Sequence, residues 1–231
     1  MPALVSVPRC AIPPSTELQS KLAEKEKTLG PNHPEVAAAW NDLAIAYQKE
    51  GKASAAESSE QKAVSIFQKS LGEYQPDTAT AVNNWADILA ANGKMDDALP
   101  LYNRSIDIKY KTLGPDHPDL AKTYIGLGAA LAKQRKYDEA LSLYQRALDI
   151  LVRSLGPEEL GTGEALLNVA DTTAAKGNMS LARAYLARIR EIFNKHASTC
   201  PPGAQAPTSD NCRRLARLRD GTLQLEAKVG P

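Results

Sequence analysis

The 231-residue sequence carries 28 Lys and Arg against 27 Asp and Glu, a net charge of +1, which excludes the long-range field that would draw the chain to nucleic acid or anionic lipid. Its 43% hydrophobic residues suffice for a continuous core, while 5% aromatic content argues against stacking platforms for single-stranded nucleic acid. Partners must be recognised by local contacts.

Residues 1–14 read as a disordered arm. The apolar stretch from Ala3 to Val7 is interrupted by Ser6 and followed by Pro8 and Arg9, too short for a signal-peptide core or a membrane span. Residues 15–30, with Leu18 and Leu22, read as a lone helix before the first linker. It is half of a repeating unit, either a cap or the remnant of a longer array.

From there a linker recurs: Leu29-Gly30 with Pro34, Leu71-Gly72 with Pro76, Leu113-Gly114 with Pro118, and a degraded copy at Leu155-Gly156. The four leucines stand 42 residues apart, so insertions have been excluded, as stacking of identical units requires. Proline opens the first helix of the first three units, where its missing N–H costs nothing, and Glu35, Asp77 or Asp119 follows at the positive helix end. Gly51, Gly93 and Gly177 close that helix; Arg135 stands in the same slot and must bear strain or turn differently. Trp40, Leu43, Ala44 and Tyr47 share one helical face, as do Val82, Trp85, Ala86 and Leu89; Tyr124, Leu127, Gly128 and Leu131; and Leu166, Val169, Ala170 and Thr173.

The second helix of each unit starts near Ala53, Met95, Tyr137 or Met179. Ala56, Ala98, Ala140 and Ala182 recur in it where only a methyl group lets helices approach closely. Four residues on stand Glu60, Tyr102, Tyr144 and Leu186. Glu60 breaks an otherwise large, mostly apolar slot, which predicts that this helix is the softest of its kind. In the fourth unit Leu160 replaces the linker proline, and Gly161 and Gly163 are expected to loosen the helix start.

Residues 197–209 form a Pro/Gly-rich loop, and 210–231 a capping helix and tail. In that helix Leu215, Leu218 and Leu225 cover the last apolar stripe while Arg213, Arg214, Arg217 and Arg219 face water. Cys200 and Cys212 flank the loop at a separation a disulfide could close, leaving Cys10 over. With no export signal visible the reading is free thiols in the cytoplasm; a bridged pair would point to the periplasm or outside the cell.

His33 and His117 occupy one slot in two linkers, which assigns them to helix entry, and His196 suits the negative end of a helix. No phosphate-binding glycine loop, dinucleotide fingerprint, zinc-protease pair or C-x-x-C motif is present. The expectation is a non-enzyme with no cofactor, metal, nucleic-acid or membrane partner.

Trp40, Leu43, Tyr47 and Ala56, and again Tyr124, Leu127, Gly128, Ala140 and Tyr144, meet the pattern W-x2-L-G-x2-Y followed by A-x3-F. Over residues 15–196 the chain resembles the tetratricopeptide repeat, and its longer 42-residue unit is similar to that of the kinesin light chain. The resemblance implies an all-α fold, a right-handed α-solenoid of helix hairpins, with an array of about four units over residues 31–196. It also implies a peptide-binding groove lined by the first helices: Asn41, Asp42, Ile45, Lys49, Asn83, Asn84, Asp87, Ile125, Lys133, Asn168 and Asp171. An asparagine amide offers both a donor and an acceptor, so it can bond an extended backbone without reading its sequence. The third unit has Ile125-Gly126 instead, which interrupts any asparagine ladder. The expected function is a protein-interaction scaffold holding an extended peptide. The alternatives are a structural, weakly self-associating array and the sensing portion of a larger signalling assembly.

Overall fold

Proline and glycine divide the chain at the places the 42-residue period marks. The computed structural model describes residues 13–198 and 210–230, and among these it holds ten α-helices and no strand. They are α1 (Ser15–Leu29), α2 (Pro34–Lys49), α3 (Ala53–Ser70), α4 (Pro76–Ala91), α5 (Met95–Leu113), α6 (Pro118–Lys133), α7 (Tyr137–Ser154), α8 (Leu160–Ala175), α9 (Met179–Ala197) and α10 (Asp210–Val229). The arm at 1–14 and the loop at 197–209 fall almost wholly outside the described residues, as do Cys10 and Cys200. Cys212, on α10, is disulfide-bonded.

Helix starts are fixed by two alternating devices. The N–H of Glu35 donates to His33 Nδ1, and the N–H of Asp119 to His117 Nδ1, each at 3.2 Å. The linkers that lack histidine use a threonine: Thr78 Oγ1 donates to the Gly72 carbonyl at 2.9 Å, and Thr162 Oγ1 to the Gly156 carbonyl at 2.7 Å. Both answer polar groups that a helix terminus leaves unpaired.

The ends of the first helices repeat equally closely. The N–H groups of Lys52, Lys94, Lys136 and Asn178 reach back to the carbonyls of Tyr47, Leu89, Leu131 and Thr173 at 2.8–3.1 Å. Each closure needs a left-handed residue just before it. Gly51, Gly93 and Gly177 supply it with φ of 73°, 80° and 97°, whereas Arg135 is forced to φ 63° and keeps its side chain there. A side chain in that region costs about 1 kcal/mol. Arg135→Gly is therefore expected to raise stability by about 0.5–1 kcal/mol, read as a higher thermal midpoint. An unchanged or lower midpoint would show that Arg135 is not strained.

Ile12–Ala130 forms one compact unit, and Leu131–Pro231 belongs to another. In the first, α1 packs on α2, α2 on α3, α3 on α4 and α4 on α5, while α2 also touches α4 directly. Ala56 and Ala98 are wholly buried where the paired helices meet. The start of α6 is tied to α5 by Lys109, whose buried ammonium donates to Thr123 Oγ1 at 2.9 Å and to the Asp119 carbonyl at 3.3 Å. Burial pulls Lys109 down to about 8 against the opposing pull of Asp119.

In the second unit α7 packs on α8, α8 on α9, and α10 on both α8 and α9. Leu215, Leu218 and Leu225 enter one core with Leu166, Leu186, Ile189 and Ile192. Arg217 and Arg219 of α10 face water as expected, while Arg214 is partly covered, and the expectation is corrected in that two of the arginines are also engaged by α8. Arg214 and Arg217 grip opposite oxygens of Glu164 on α8, at 2.8 and 3.1 Å, because α10 lies along that helix. The loosened start of α8 is corrected too. Leu160, Gly161 and Gly163 are buried, and a Cβ on Gly163 would stand 3.1 Å from Leu218 and 3.2 Å from Ile192. Glycine there makes room for α10.

Candidate functional site

In the first unit the direct contact of α2 with α4 sets two candidate asparagines side by side. The Asn84 amide donates to Asn41 Oδ1 at 2.6 Å. Among the described residues that bond leaves both N–H donors of Asn41, and the Oδ1 and second N–H of Asn84, without a partner. Both are half-buried, held by the helices rather than waving in solvent. Beside them on α2 stand Asp42 and Lys49, exposed, and Ile45, half-buried.

Asn83 and Asp87 turn inward from this pair. Asn83 is 8% exposed, its amide donates to Asp87 Oδ2 at 2.9 Å, and its Oδ1 is buried without a partner. Asp87 Oδ1 accepts from the Tyr102 hydroxyl at 2.5 Å. Burial, then the Asp87 charge, raises the Tyr102 phenol well above the usual range, so it stays a donor. This pair also explains Gly126. A Cβ on Gly126 would stand 2.8 Å from Asp87 Oδ1 and 3.5 Å from the Tyr102 ring. In the third unit the space that a side chain at position 126 would take is held by Asp87 and Tyr102; Ile125 beside it is half-buried.

Glu60 is the functional candidate that sequence reasoning missed. Its side chain is 0% exposed, with neither carboxyl oxygen hydrogen-bonded. Burial pushes its carboxyl up to about 8, and the charges of Asp42 on α2 and Asp87 on α4 add to the rise. The glutamate occupies the interior slot that helical geometry prescribes four residues after Ala56, and the rise keeps it largely protonated at pH 7. A cleft of about 460 Å³ adjoins Asp42, lined by Leu18, Lys21 and Lys25 of α1 and by Ala39, Asp42 and Ile45 of α2.

Lys133, Asn168 and Asp171 lie in the second unit. Lys133 is exposed. The half-buried Asn168 donates back to the Glu164 carbonyl of its own helix at 3.1 Å, and Asp171 pairs with Lys228 of α10 at 2.7 Å. Among the described residues no group of His, Cys, Asp and Glu could hold a metal ion, and no helix is long and apolar enough to cross a membrane.

Tetratricopeptide repeat family models match residues 36–77, 77–151 and 120–195. No curated protein matches. Among solved structures, the nearly identical TPR-like repeats from Podosopora anserina described as kinesin light chain are 26% identical. The match covers 80% of this chain and 87% of that one at a TM-score of 0.65. BtubC from P. vanneervenii is 21% identical over 84% of this chain and 79% of its own, with a TM-score of 0.68. PlcR of Bacillus thuringiensis, solved in complex with a peptide and DNA, is 16% identical over 80% of this chain and 66% of its own, with a TM-score of 0.59. With helix pairs repeating every 42 residues and family models spanning most of its length, the chain is a member of the tetratricopeptide repeat family, of the kinesin light chain-like type.

Proposed function

We propose that this chain is a protein-interaction scaffold that holds an extended peptide on the exposed face of α2 and α4. The observation that carries the reading is the Asn41–Asn84 bond, which fixes two amides while leaving donors on one and an acceptor on the other. An extended backbone presents the complementary N–H and C=O groups. PlcR, of the same fold, was solved with a peptide bound, which supports the reading by analogy. Asn83 and Asp87 act in it as the support behind the face, since the Asn83 amide N–H is bonded to Asp87 and Asp87 accepts from Tyr102.

The test is selection from a random library of blocked heptapeptides on the full chain, followed by titration of an enriched peptide. Asn41→Ala and Asn84→Ala are each expected to weaken binding about fivefold, the loss of roughly 1 kcal/mol for one backbone hydrogen bond. A library from which nothing is enriched, or a double variant with unchanged affinity, would remove the groove from the account.

A further inference from the structure

We propose that the peptide held on α2 and α4 presents a basic side chain, lysine or arginine, to Asp42, and beside it an aliphatic side chain to the cleft between α1 and α2. This rests on the peptide-binding reading above and adds the chemistry of the partner.

The charges commit the occupant. Both cations lining the cleft are answered within the chain: Lys21 pairs with Glu17 at 2.6 Å and Lys25 with Glu35 at 3.1 Å. The carboxyl groups are not. Asp42 is exposed and takes part in no hydrogen bond or ion pair among the described residues, although it lines the same cleft. Behind it Glu60 is fully buried with both oxygens unpartnered, and it interacts electrostatically with Asp42 from α2 and Asp87 from α4. Asn83 Oδ1 is a further buried acceptor with no donor. Asp42 is therefore an exposed carboxylate for which, among the described residues, the chain supplies no ion-pair partner, and its buried neighbour Glu60 is an acid that cannot answer it. An incoming ammonium or guanidinium would gain an ion pair with Asp42, where an acidic or neutral side chain would not. Leu18, Ala39 and Ile45 make the cleft wall apolar, which fits an aliphatic neighbour better than a second charge.

The heptapeptide selection described above also reads this proposal. The enriched peptides should carry Lys or Arg next to Leu, Ile or Val. Asp42→Asn should weaken the best of them fivefold to tenfold, as should replacing the peptide's basic residue with Gln, and the two changes together should cost little more than either alone. A cation brought near Glu60 favours its ionised form, so binding at pH 7 should release protons. Calorimetry in buffers of different ionisation heat reads that release, and Glu60→Gln should abolish it. Enrichment of acidic or uncharged peptides, or a basic peptide indifferent to Asp42→Asn, overturns the charge assignment and leaves the groove standing. Failure to enrich any peptide overturns both.

Discussion

Replacing Glu60 with leucine is expected to raise the stability of the chain at pH 7 by about 2–3 kcal/mol and to flatten its pH dependence. The carboxyl has its proton affinity raised in the folded state, from the ordinary 4.5 to about 8. Between those values the folded chain binds a proton that the unfolded chain has lost, so stability is greatest below pH 4.5 and falls as pH rises towards 8. The slot itself accepts leucine, since Leu186 fills its counterpart in the last hairpin at 4% exposure. Urea unfolding at pH 5 and pH 8 should show the wild type losing stability across that interval and Glu60→Leu losing much less. Equal slopes in the two proteins would mean that Glu60 reaches solvent and ionises in the fold. Neighbouring pH effects fall in other windows. Glu50, held near 2 chiefly by its hydrogen bond with Lys52 and then by those from Ser15, weakens the fold only as pH drops from 4.5. Lys109, lowered to about 8, strengthens it as pH rises from there towards 10.5. A residue that lowers stability inside the folded core, beside the proposed peptide face, is a common cost of a binding site.

Leu218→Ala is expected to cost about 3 kcal/mol and to free α10 from the second unit. Leu218 is 0% exposed, and α10 meets α8 and α9 through it together with Leu215 and Leu225. Gly163 brings the α8 backbone to within a methyl group's reach of this leucine, so truncation leaves a cavity that α8 has no side chain to fill. The Arg214 and Arg217 bonds to Glu164 lie near the surface and hold little by comparison. Hydrogen exchange should show α10 losing protection ahead of α9. A loss below 1 kcal/mol, with α10 still protected, would mean that the helix is held by something other than this core.

The hairpin order was legible in the sequence because its signals are covalent facts repeated at one period: a proline suited to the first position of a helix, a left-handed slot, an alanine where helices touch. Arg135 announced its own strain by standing where three other units have glycine, and the structure gives it φ 63°. The histidine caps were legible for the same reason. Thr78 and Thr162, which replace them in alternate linkers, were visible at twice the period and overlooked, because threonine also suits many ordinary helix positions.

The candidate site was less legible, since its details depend on what faces each residue across a helix interface. Asn83 and Asn84 are adjacent in sequence, yet one is buried against Asp87 and the other bonds Asn41 on the next first helix. Gly126 reads as a weakness in the ladder until Tyr102 and Asp87 are seen in the space its side chain would need. Gly163 likewise reads as a loosened helix until Leu218 is set against it. Glu60 was noticed as a defect in an apolar slot. That it would be buried with its proton, next to the acidic groups of two other helices, is a property of three elements together.

The most direct measurement is the amide spectrum of the uniformly ¹⁵N-labelled chain, recorded as a library-selected heptapeptide is added. The account predicts that the side-chain amide signals of Asn41 and Asn84 shift together with backbone signals of α2 and α4. Signals that move only on α3 and α5, or on none of these helices, would contradict it.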